Sequence, residues 1–179
     1  MLSLNFTPFP QLQTERLLLR QLVKEDAPAL VELRSDERVN EFIDRPKAMD
    51  IERALGFVER INDSITKNDT LYWAISLRED AQLIGTICCW RFDLENRIAE
   101  VGYELFPAQQ GKGIANEALQ AVIKFMFEGL HFEKLLAVLR IQNSASLKLL
   151  ERNQFINTEK TIVGNGITQH VFALERKHS

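Results

Sequence analysis

The sequence predicts one mixed α/β domain, in which a mostly antiparallel central sheet contains one parallel pair of strands and is flanked by helices. Three observations support this fold class. Short polar connections join three strand patterns between residues 71 and 106, which is typical of an antiparallel meander. A helical pattern separates the third strand from the next one, and such a crossover makes the two strands parallel. The length of 179 residues suits one core, so we expect residues 1–179 to form a single domain.

Composition excludes several classes of protein. Apolar residues make up 45% of the chain and charged residues 26%, as in globular proteins. The net charge is −3 and no cluster of basic residues occurs, so we expect no direct nucleic-acid partner. No apolar run approaches the ~18 residues that a membrane span needs, and the N-terminal residues lack the pattern of a signal peptide. We therefore expect a cytoplasmic protein without a membrane partner.

The first 70 residues predict one strand and two helices. Thr14 to Leu22 is the first strand, although its leucine run alone also fits a helix. A helix begins within Lys24 to Pro28, because acidic residues and proline favour the first helical turn. Residues 35–49 are polar and mixed, and no regular element is predicted there. A second helix begins at Asp50 and carries an apolar stripe.

The other elements follow from the same strand and helix periodicities. The expected order is strands at Leu71–Leu77, Leu83–Phe92 and Arg97–Phe106, a helix from Ile114 that Gly129 ends, a strand at Lys134–Ile141, a helix over Ser144–Arg152 capped by Asn143, and strands at Phe155–Val163 and Ile167–Glu175. The adjacent Cys88 and Cys89 point to opposite faces of their strand. We therefore expect neither a disulfide between them nor a zinc site.

A glycine-rich turn, Gln110 to Ala115, precedes the central helix. Free N–H groups and the dipole at a helix N-terminus favour an anion, usually a phosphate. The turn does not fit a Walker A loop, because Lys112 is followed by Gly113 and not by serine or threonine. It does not fit a Rossmann turn either, because Asn116 stands where a third glycine is needed. A plain turn with glycines for backbone geometry remains open on these residues alone.

Two motifs together resemble the GNAT acyltransferase superfamily. Gln110–Ala115 matches its Q/R-x-x-G-x-G/A pattern. Residues 143–146 (NSAS), followed by 149–155 (LLERNQF), are similar to the family signature N-x-x-S and LLEK-x-G-F. Residues 99–103 (AEVGY) and the spacing Leu105-x-Pro107 resemble the RimJ/RimL branch, the ribosomal-protein N-acetyltransferases and their relatives. The resemblance covers nearly the whole chain.

The resemblance implies acetyl-CoA as cosubstrate and a GNAT-like fold whose parallel strands splay around the pantetheine arm. Backbone N–H groups between Gly111 and Ala115 would hold the pyrophosphate, and backbone groups near Leu105 and Phe106 would hold the arm and polarise the thioester carbonyl. The full set of implied cofactor-binding residues is Leu105, Phe106, Gln110, Gly111, Lys112, Gly113, Ile114, Ala115, Asn143 and Ser146.

The implied reaction is direct attack of a neutral amine on the thioester. A period of two places Glu100, Gly102 and Glu104 on one strand face, and we interpret Gly102 as open space for a substrate. Glu100 is the preferred general base and Glu104 the second candidate, although solvated or ion-paired roles also fit both carboxylates. Ser146 is a candidate hydrogen-bond donor to the leaving sulfur, and a helix serine bonded to the backbone is nearly as good an interpretation.

Two positions depart from the family pattern. Gln154 stands where the family has a glycine before Phe155, and we expect an altered turn there. Leu150 stands where many members have a tyrosine acid. A non-catalytic acyl-CoA-binding sensor is therefore an alternative function.

The favoured acceptor is an α-amino group, because its reference pKa near ~8 lies below the ~10.4 of lysine and it needs less help from a base. The branch suggests the N-terminus of a ribosomal protein, and a small amine such as a polyamine, amino acid or aminoglycoside is the alternative. Residues 35–70 and the last hairpin are expected to face the acceptor. The histidines at 131, 170 and 178 lack metal-ligand spacing, so no metal is expected, and a homodimer is expected only by analogy with the branch.

Overall fold

The computed structural model describes residues 2–46 and 49–177, so His178 lies outside the described residues. The strands are β1 Leu12–Gln13, β2 Leu17–Gln21, β3 Leu71–Leu77, β4 Asp80–Asp93, β5 Ile98–Leu105, β6 Lys134–Leu139, β7 Ile156–Gly164 and β8 Ile167–Glu175. The α-helices are α1 Ala27–Ser35, α2 Glu37–Asn40, α3 Ile51–Thr66, α4 Ile114–Lys124 and α5 Ser144–Arg152. No helix in these ranges is both long and apolar enough to cross a membrane.

The sheet confirms the predicted meander and the predicted parallel pair. Its strand order is β1-β2-β3-β4-β5-β6-β8-β7, and β5 with β6 is the parallel pair among antiparallel neighbours. The parallel pairing ends at Glu100 and Leu136. Because β5 continues to Leu105 and β6 to Leu139, the strands separate beyond Glu100. A cleft between β5 and β6 results, as the splayed pair predicts.

Helices cover both faces of this sheet. Tyr72 and Trp73 are consecutive residues of β3, so their side chains point to opposite faces. On one side, the ring of Tyr72 contacts that of Phe57 in α3, with the centroids 5.5 Å apart. On the other side, the ring of Trp73 contacts that of Phe125 at the end of α4, with the centroids 6.1 Å apart. We call these sides the α3 face and the α4 face.

Three elements differ from the predictions for local reasons. The predicted strand from Thr14 is divided, because a turn in which the Thr14 amide donates to the Leu17 carbonyl oxygen at 3.0 Å separates β1 from β2. The one-turn helix α2 lies where no element was predicted, and it is too short for an apolar period, with Val39 as its buried residue. Helix α4 widens into a π-helical turn over Phe125–Gly129, and this turn ends at the predicted glycine.

The two cysteines are free, as predicted. Cys89 is fully buried and Cys88 partly so. Burial raises the pKa of both thiols, so neither is a reactive thiolate near neutral pH.

Candidate functional site

The glycine turn ahead of α4 leaves its backbone accessible. Gly111 and Gly113 adopt left-handed φ angles of +74° and +77°, which residues with a Cβ atom rarely adopt. A Cβ atom placed on Gly111 would meet no heavy atom within 4 Å. The glycines therefore serve the turn geometry and also leave room for a ligand against the backbone.

The N-terminus of α4 has no capping side chain. Gly113 occupies the cap position, and the first helical hydrogen bond joins the Glu117 amide to the Gly113 carbonyl oxygen at 3.0 Å. The amides of residues 114–116 precede this bond and have no acceptor within the helix. Combined with the helix dipole, these groups fit an anion such as a pyrophosphate. The Lys112 ammonium is exposed and lies 3.3 Å from Oε1 of Gln109.

Arg16 and Glu117 fix this turn to the sheet. Glu117 accepts hydrogen bonds from the Thr14 hydroxyl and from Nε of Arg16, both at 2.6 Å, and Nη1 of Arg16 donates to the Lys112 carbonyl oxygen at 2.9 Å. Burial raises the pKa of Glu117, but the hydrogen bonds from Thr14 and Arg16 outweigh it, so the net pKa is lowered. Sequence reasoning missed this pair because 101 positions separate its members.

The end of β5 presents backbone groups to the cleft. The Phe106 amide donates to the Ile84 carbonyl oxygen at 3.1 Å, and the Phe106 carbonyl oxygen accepts from the Gln109 amide at 2.8 Å. Because strand amides alternate in direction, the Leu105 amide points away from β4 and towards the cleft. Nε2 of Gln110 donates to the Leu105 carbonyl oxygen at 3.1 Å, which attaches the glycine turn to this strand end. Of the two predicted residues, Leu105 therefore has the accessible amide.

Ser146 has a partner that the sequence reasoning did not use. Its hydroxyl lies 2.6 Å from the Tyr103 hydroxyl, on the α4 face of β5. Burial raises the pKa of Tyr103 to about 12, although the hydrogen bond to Ser146 lowers it in part. The structure thus supplies a phenol from β5 beside Ser146. The alternation along β5 predicts the face on which Tyr103 lies, but no nearby residue predicts its contact with Ser146 of α5.

The two sequence motifs lie side by side. Oδ1 of Asn143 accepts from the Ser146 amide at 3.1 Å, which confirms the predicted helix cap. At the other end of α5, Nδ2 of Asn153 donates to Oδ1 of Asn116 in α4 at 2.8 Å. The start of α4, which follows the first motif, is thus bonded to the end of α5, which carries the last part of the second motif.

The two candidate carboxylates lie on the α3 face, where the period of two predicts them. Glu100 accepts a hydrogen bond from Nη1 of Arg91 at 2.9 Å; the Arg91 side chain is 67% exposed and that of Glu100 11%. Glu104 pairs with Nη1 of Arg45 at 2.7 Å, with side-chain exposures of 8% and 12%. Glu104 is therefore held in a buried ion pair, and Glu100 in a pair whose cation is exposed.

The interpretation of Gly102 as open space is wrong. A Cβ atom at Gly102 would lie 2.6 Å from Cη2 of Trp90, so the indole ring covers this glycine. In the β4–β5 register Trp90 lies opposite Glu100, which puts its ring within diagonal reach of residue 102. Gly102 is thus required by the packing of Trp90.

Arg34, Arg45 and Glu104 form a charged cluster on the α3 face, which the sequence analysis did not predict. Burial lowers the pKa of Arg45, Glu104 raises it, and the nearby Arg34 guanidinium lowers it further. Burial also raises the pKa of Tyr72, and the charge of Glu104 adds to that shift. The Tyr72 hydroxyl donates to the Thr86 hydroxyl at 3.1 Å. The cluster therefore combines two guanidinium groups with one carboxylate in a dry environment.

The departures from the family pattern have structural explanations. Gln154 adopts a left-handed φ of +66°, the conformation that a glycine favours, so the expected alteration of the turn is wrong. Leu150 is fully buried and belongs to the core.

His170 lies within β8 opposite Leu139. Among the described residues no group of three or more potential metal ligands occurs.

Comparison with known proteins agrees with this arrangement. Residues 16–156 match the family model described as an acetyltransferase (GNAT) domain. The uncharacterized N-acetyltransferase p20 of Bacillus licheniformis is 34% identical over 144 residues, which cover 80% of this chain and 81% of the relative. The ribosomal-protein-serine acetyltransferase of Escherichia coli K12 is 37% identical over 79 residues, 44% of each chain. The structure of RimL, a ribosomal L7/L12 α-N-protein acetyltransferase in complex with coenzyme A, has the same fold: TM-score 0.82, 20% identity, 93% of this chain and 98% of that chain.

Proposed function

Since the chain belongs to the GNAT acetyltransferase family of acetyl-CoA-dependent N-acetyltransferases, we propose that it acetylates an α-amino group, in particular the N-terminus of a protein such as a ribosomal protein. The observation that carries the proposal is the cleft between β5 and β6, which has an open helix N-terminus at one end and Glu100 at the other. The E. coli relative, named as a ribosomal-protein-serine acetyltransferase, supports the choice of acceptor. We also propose that residues 1–179 act as one cytoplasmic domain.

The residues of the turn and of β5 fit the cosubstrate. The backbone from Gly111 to Ala115 would hold the pyrophosphate, because that backbone is accessible and its helix amides lack partners. The Leu105 amide would donate to the carbonyl oxygen of the thioester or of the arm. Asn143 holds the first turn of α5 in place. Acetyl-CoA supplies the activated acetyl group, as a thioester.

Glu100 is our proposed general base, acting through water. Its partner Arg91 is exposed, so this ion pair borders solvent on the Arg91 side. Glu104, in contrast, is held by the buried Arg45. Glu100 takes the proton that the amine loses as the N–C bond to the acetyl carbon forms.

Ser146 and Tyr103 would stabilise the leaving group. As the C–S bond breaks, the Ser146 hydroxyl donates a hydrogen bond to the sulfur, and the Tyr103 phenol donates to Ser146 and orients it. A thiol has a reference pKa near ~8.5, so its thiolate needs stabilisation more than a strong acid. The phenol from β5 thus supports the leaving group in a chain that has leucine at position 150.

The test is release of CoA from acetyl-CoA with an N-terminal peptide as acceptor. Glu100→Gln should lower kcat about 100-fold or more. Ser146→Ala should lower kcat about 2- to 10-fold, since one hydrogen bond contributes about 0.5–1.5 kcal/mol. Ser144→Ala is the matched control on the same helical turn, because Ser144 is exposed. Binding of acetyl-CoA without CoA release from any amine would contradict the proposal and indicate a sensor.

A further inference from the structure

Unpaired polar atoms concentrate in the charged cluster of the α3 face. In the described part of the chain, four buried side-chain nitrogen or oxygen atoms lack a hydrogen-bond partner. Three of them belong to this cluster: Nε of Arg34, Nη2 of Arg45 and Oε1 of Glu104. Buried polar groups are nearly always paired, because each unpaired one forfeits its hydration. Such a concentration points to a ligand that supplies the missing partners.

Three elements hold these groups in place. The Arg34 guanidinium lies over the Phe57 ring, 4.4 Å from its centroid. Arg45 donates from Nε to Oδ1 of Asn40 at 2.7 Å and from Nη1 to Oε2 of Glu104 at 2.7 Å. These bonds use Nε and Nη1 of Arg45 and one carboxylate oxygen of Glu104. The unpaired Nη2 and Oε1 atoms therefore belong to groups that are already oriented and in contact.

The unpaired atoms define the chemistry of the missing ligand. Two are cationic donors and one is an anionic acceptor. Their complement is an oxygen acceptor beside a nitrogen donor such as an amino group. We propose that Arg34, Arg45 and Glu104 bind the α-amino-acyl unit of the acceptor, with its amino group on Glu104 and its neighbouring carbonyl or carboxylate oxygen on Arg45 and Arg34. The inference rests on the proposed function, since it names what the acetyltransferase selects.

The position of the cluster agrees with this role. Glu104 immediately precedes Leu105, whose amide faces the cleft, and lies beyond Glu100, the last residue of β5 that pairs with β6. The segment that carries Arg45 is joined to the last hairpin, because Nδ2 of Asn165 donates to Oδ2 of Asp44 at 2.9 Å. These are the two segments that the sequence predicted to face the acceptor.

The test compares two acceptors that differ in the carbonyl group. Alanine amide and isopropylamine are assayed for CoA release, with rates expressed per neutral amine to remove the effect of their different pKa values. The wild-type protein should prefer alanine amide by about 10- to 100-fold in kcat/KM, the range expected for a hydrogen bond to a charged group. Free alanine and an alanyl peptide, assayed in parallel, identify whether a carboxylate or a peptide carbonyl is the natural source of the oxygen.

Arg45→Lys should reduce this preference at least about fivefold, mainly through KM, because lysine cannot provide the planar fork. Arg38→Lys is the matched control: Arg38 also pairs with a carboxylate at 2.7 Å, but its side chain is 74% exposed. If Arg45→Lys fails to fold, the double substitution Arg45→Met and Glu104→Leu replaces the buried pair by apolar groups, and the preference should again be lost.

Equal kcat/KM values for the two wild-type reactions, or an unchanged preference in the Arg45 variant, would overturn the inference and leave the acetyltransferase activity standing. Preference for a lone amine such as spermidine would overturn it in the same way. Failure of the proposed function has a different signature: acetyl-CoA binds, and none of these amines releases CoA.

Discussion

Replacement of Gly111 by alanine should weaken acetyl-CoA binding without unfolding the protein. Gly111 has a φ of +74° and an open environment. A residue with a Cβ atom costs about 1–2 kcal/mol in this conformation. Alanine also restricts the unfolded chain and recovers up to about 1 kcal/mol. We expect a net loss of about 0.5–1.5 kcal/mol in the free energy of unfolding, which lowers Tm by about 2–4 °C per kcal/mol.

Gly166→Ala is the matched control for that substitution. Gly166 has a φ of +73° and, like Gly111, no heavy atom within 4 Å of an added Cβ atom. It lies in the turn between β7 and β8 and not in the glycine turn ahead of α4. The two variants should therefore lose equal stability. Only Gly111→Ala places a methyl group where we propose that the pyrophosphate approaches the backbone, so only its Kd for acetyl-CoA should rise, by at least about tenfold or 1.4 kcal/mol.

Urea unfolding gives the stability of both variants, and isothermal titration calorimetry gives their Kd for acetyl-CoA. The reasoning is refuted if Gly111→Ala binds acetyl-CoA as the wild-type protein does. It is equally refuted if Gly166→Ala loses as much affinity, since the effect would then follow from destabilisation alone.

Three further predictions concern stability and pH. The chain has two tyrosines, Tyr72 and Tyr103, and the pKa of both is raised, that of Tyr103 to about 12. Ultraviolet titration at pH 10.5 should therefore show little tyrosinate in the native protein. In urea, where the tyrosine pKa is near ~10, about three-quarters of the tyrosine should be ionised. Their raised pKa values stabilise the fold below pH ~10, and this contribution is lost as the pH rises towards 12; ionisation at pH 10 in the native state would disprove it. The pKa of Glu117 is lowered, so the Glu117 carboxylate stabilises the fold above its ordinary pKa of 4.5, and this stabilisation is lost as the pH falls below that value. Glu117→Gln should therefore lower the free energy of unfolding by about 1–3 kcal/mol at pH 7 and by much less at pH 3. An equal loss at both pH values would contradict the ion pair with Arg16. Gln154→Gly should raise stability by about 0.5–1 kcal/mol, because it relieves a left-handed conformation, and a fall in Tm would show that the bond from Lys177 to Gln154 outweighs that strain.

The sequence predicted what depends on local periodicity. The meander, the parallel pair, the helix start at Asp50 and the cap at Asn143 all follow from residues close together in the chain. The glycine turn was also found, because its glycines and the helix after it are adjacent.

The missed features join residues that are distant in sequence. The pairs Arg16–Glu117 and Arg45–Glu104 depend on how the segments pack, and no local pattern marks them. Gly102 is instructive, because the alternation correctly placed it between two carboxylates on one face. Whether that position is open depended on the hairpin register, which brings the Trp90 ring onto it.

The site of acetylation on a peptide with a free N-terminus and one internal lysine tests whether the protein selects an α-amino group. The peptide is incubated with the protein and acetyl-CoA, and the position of the acetyl group is located by fragment mass spectrometry. We expect an acetyl group on the α-amine, formed in step with released CoA. Acetylation of the lysine side chain, or no product from protein that demonstrably binds acetyl-CoA, would contradict it.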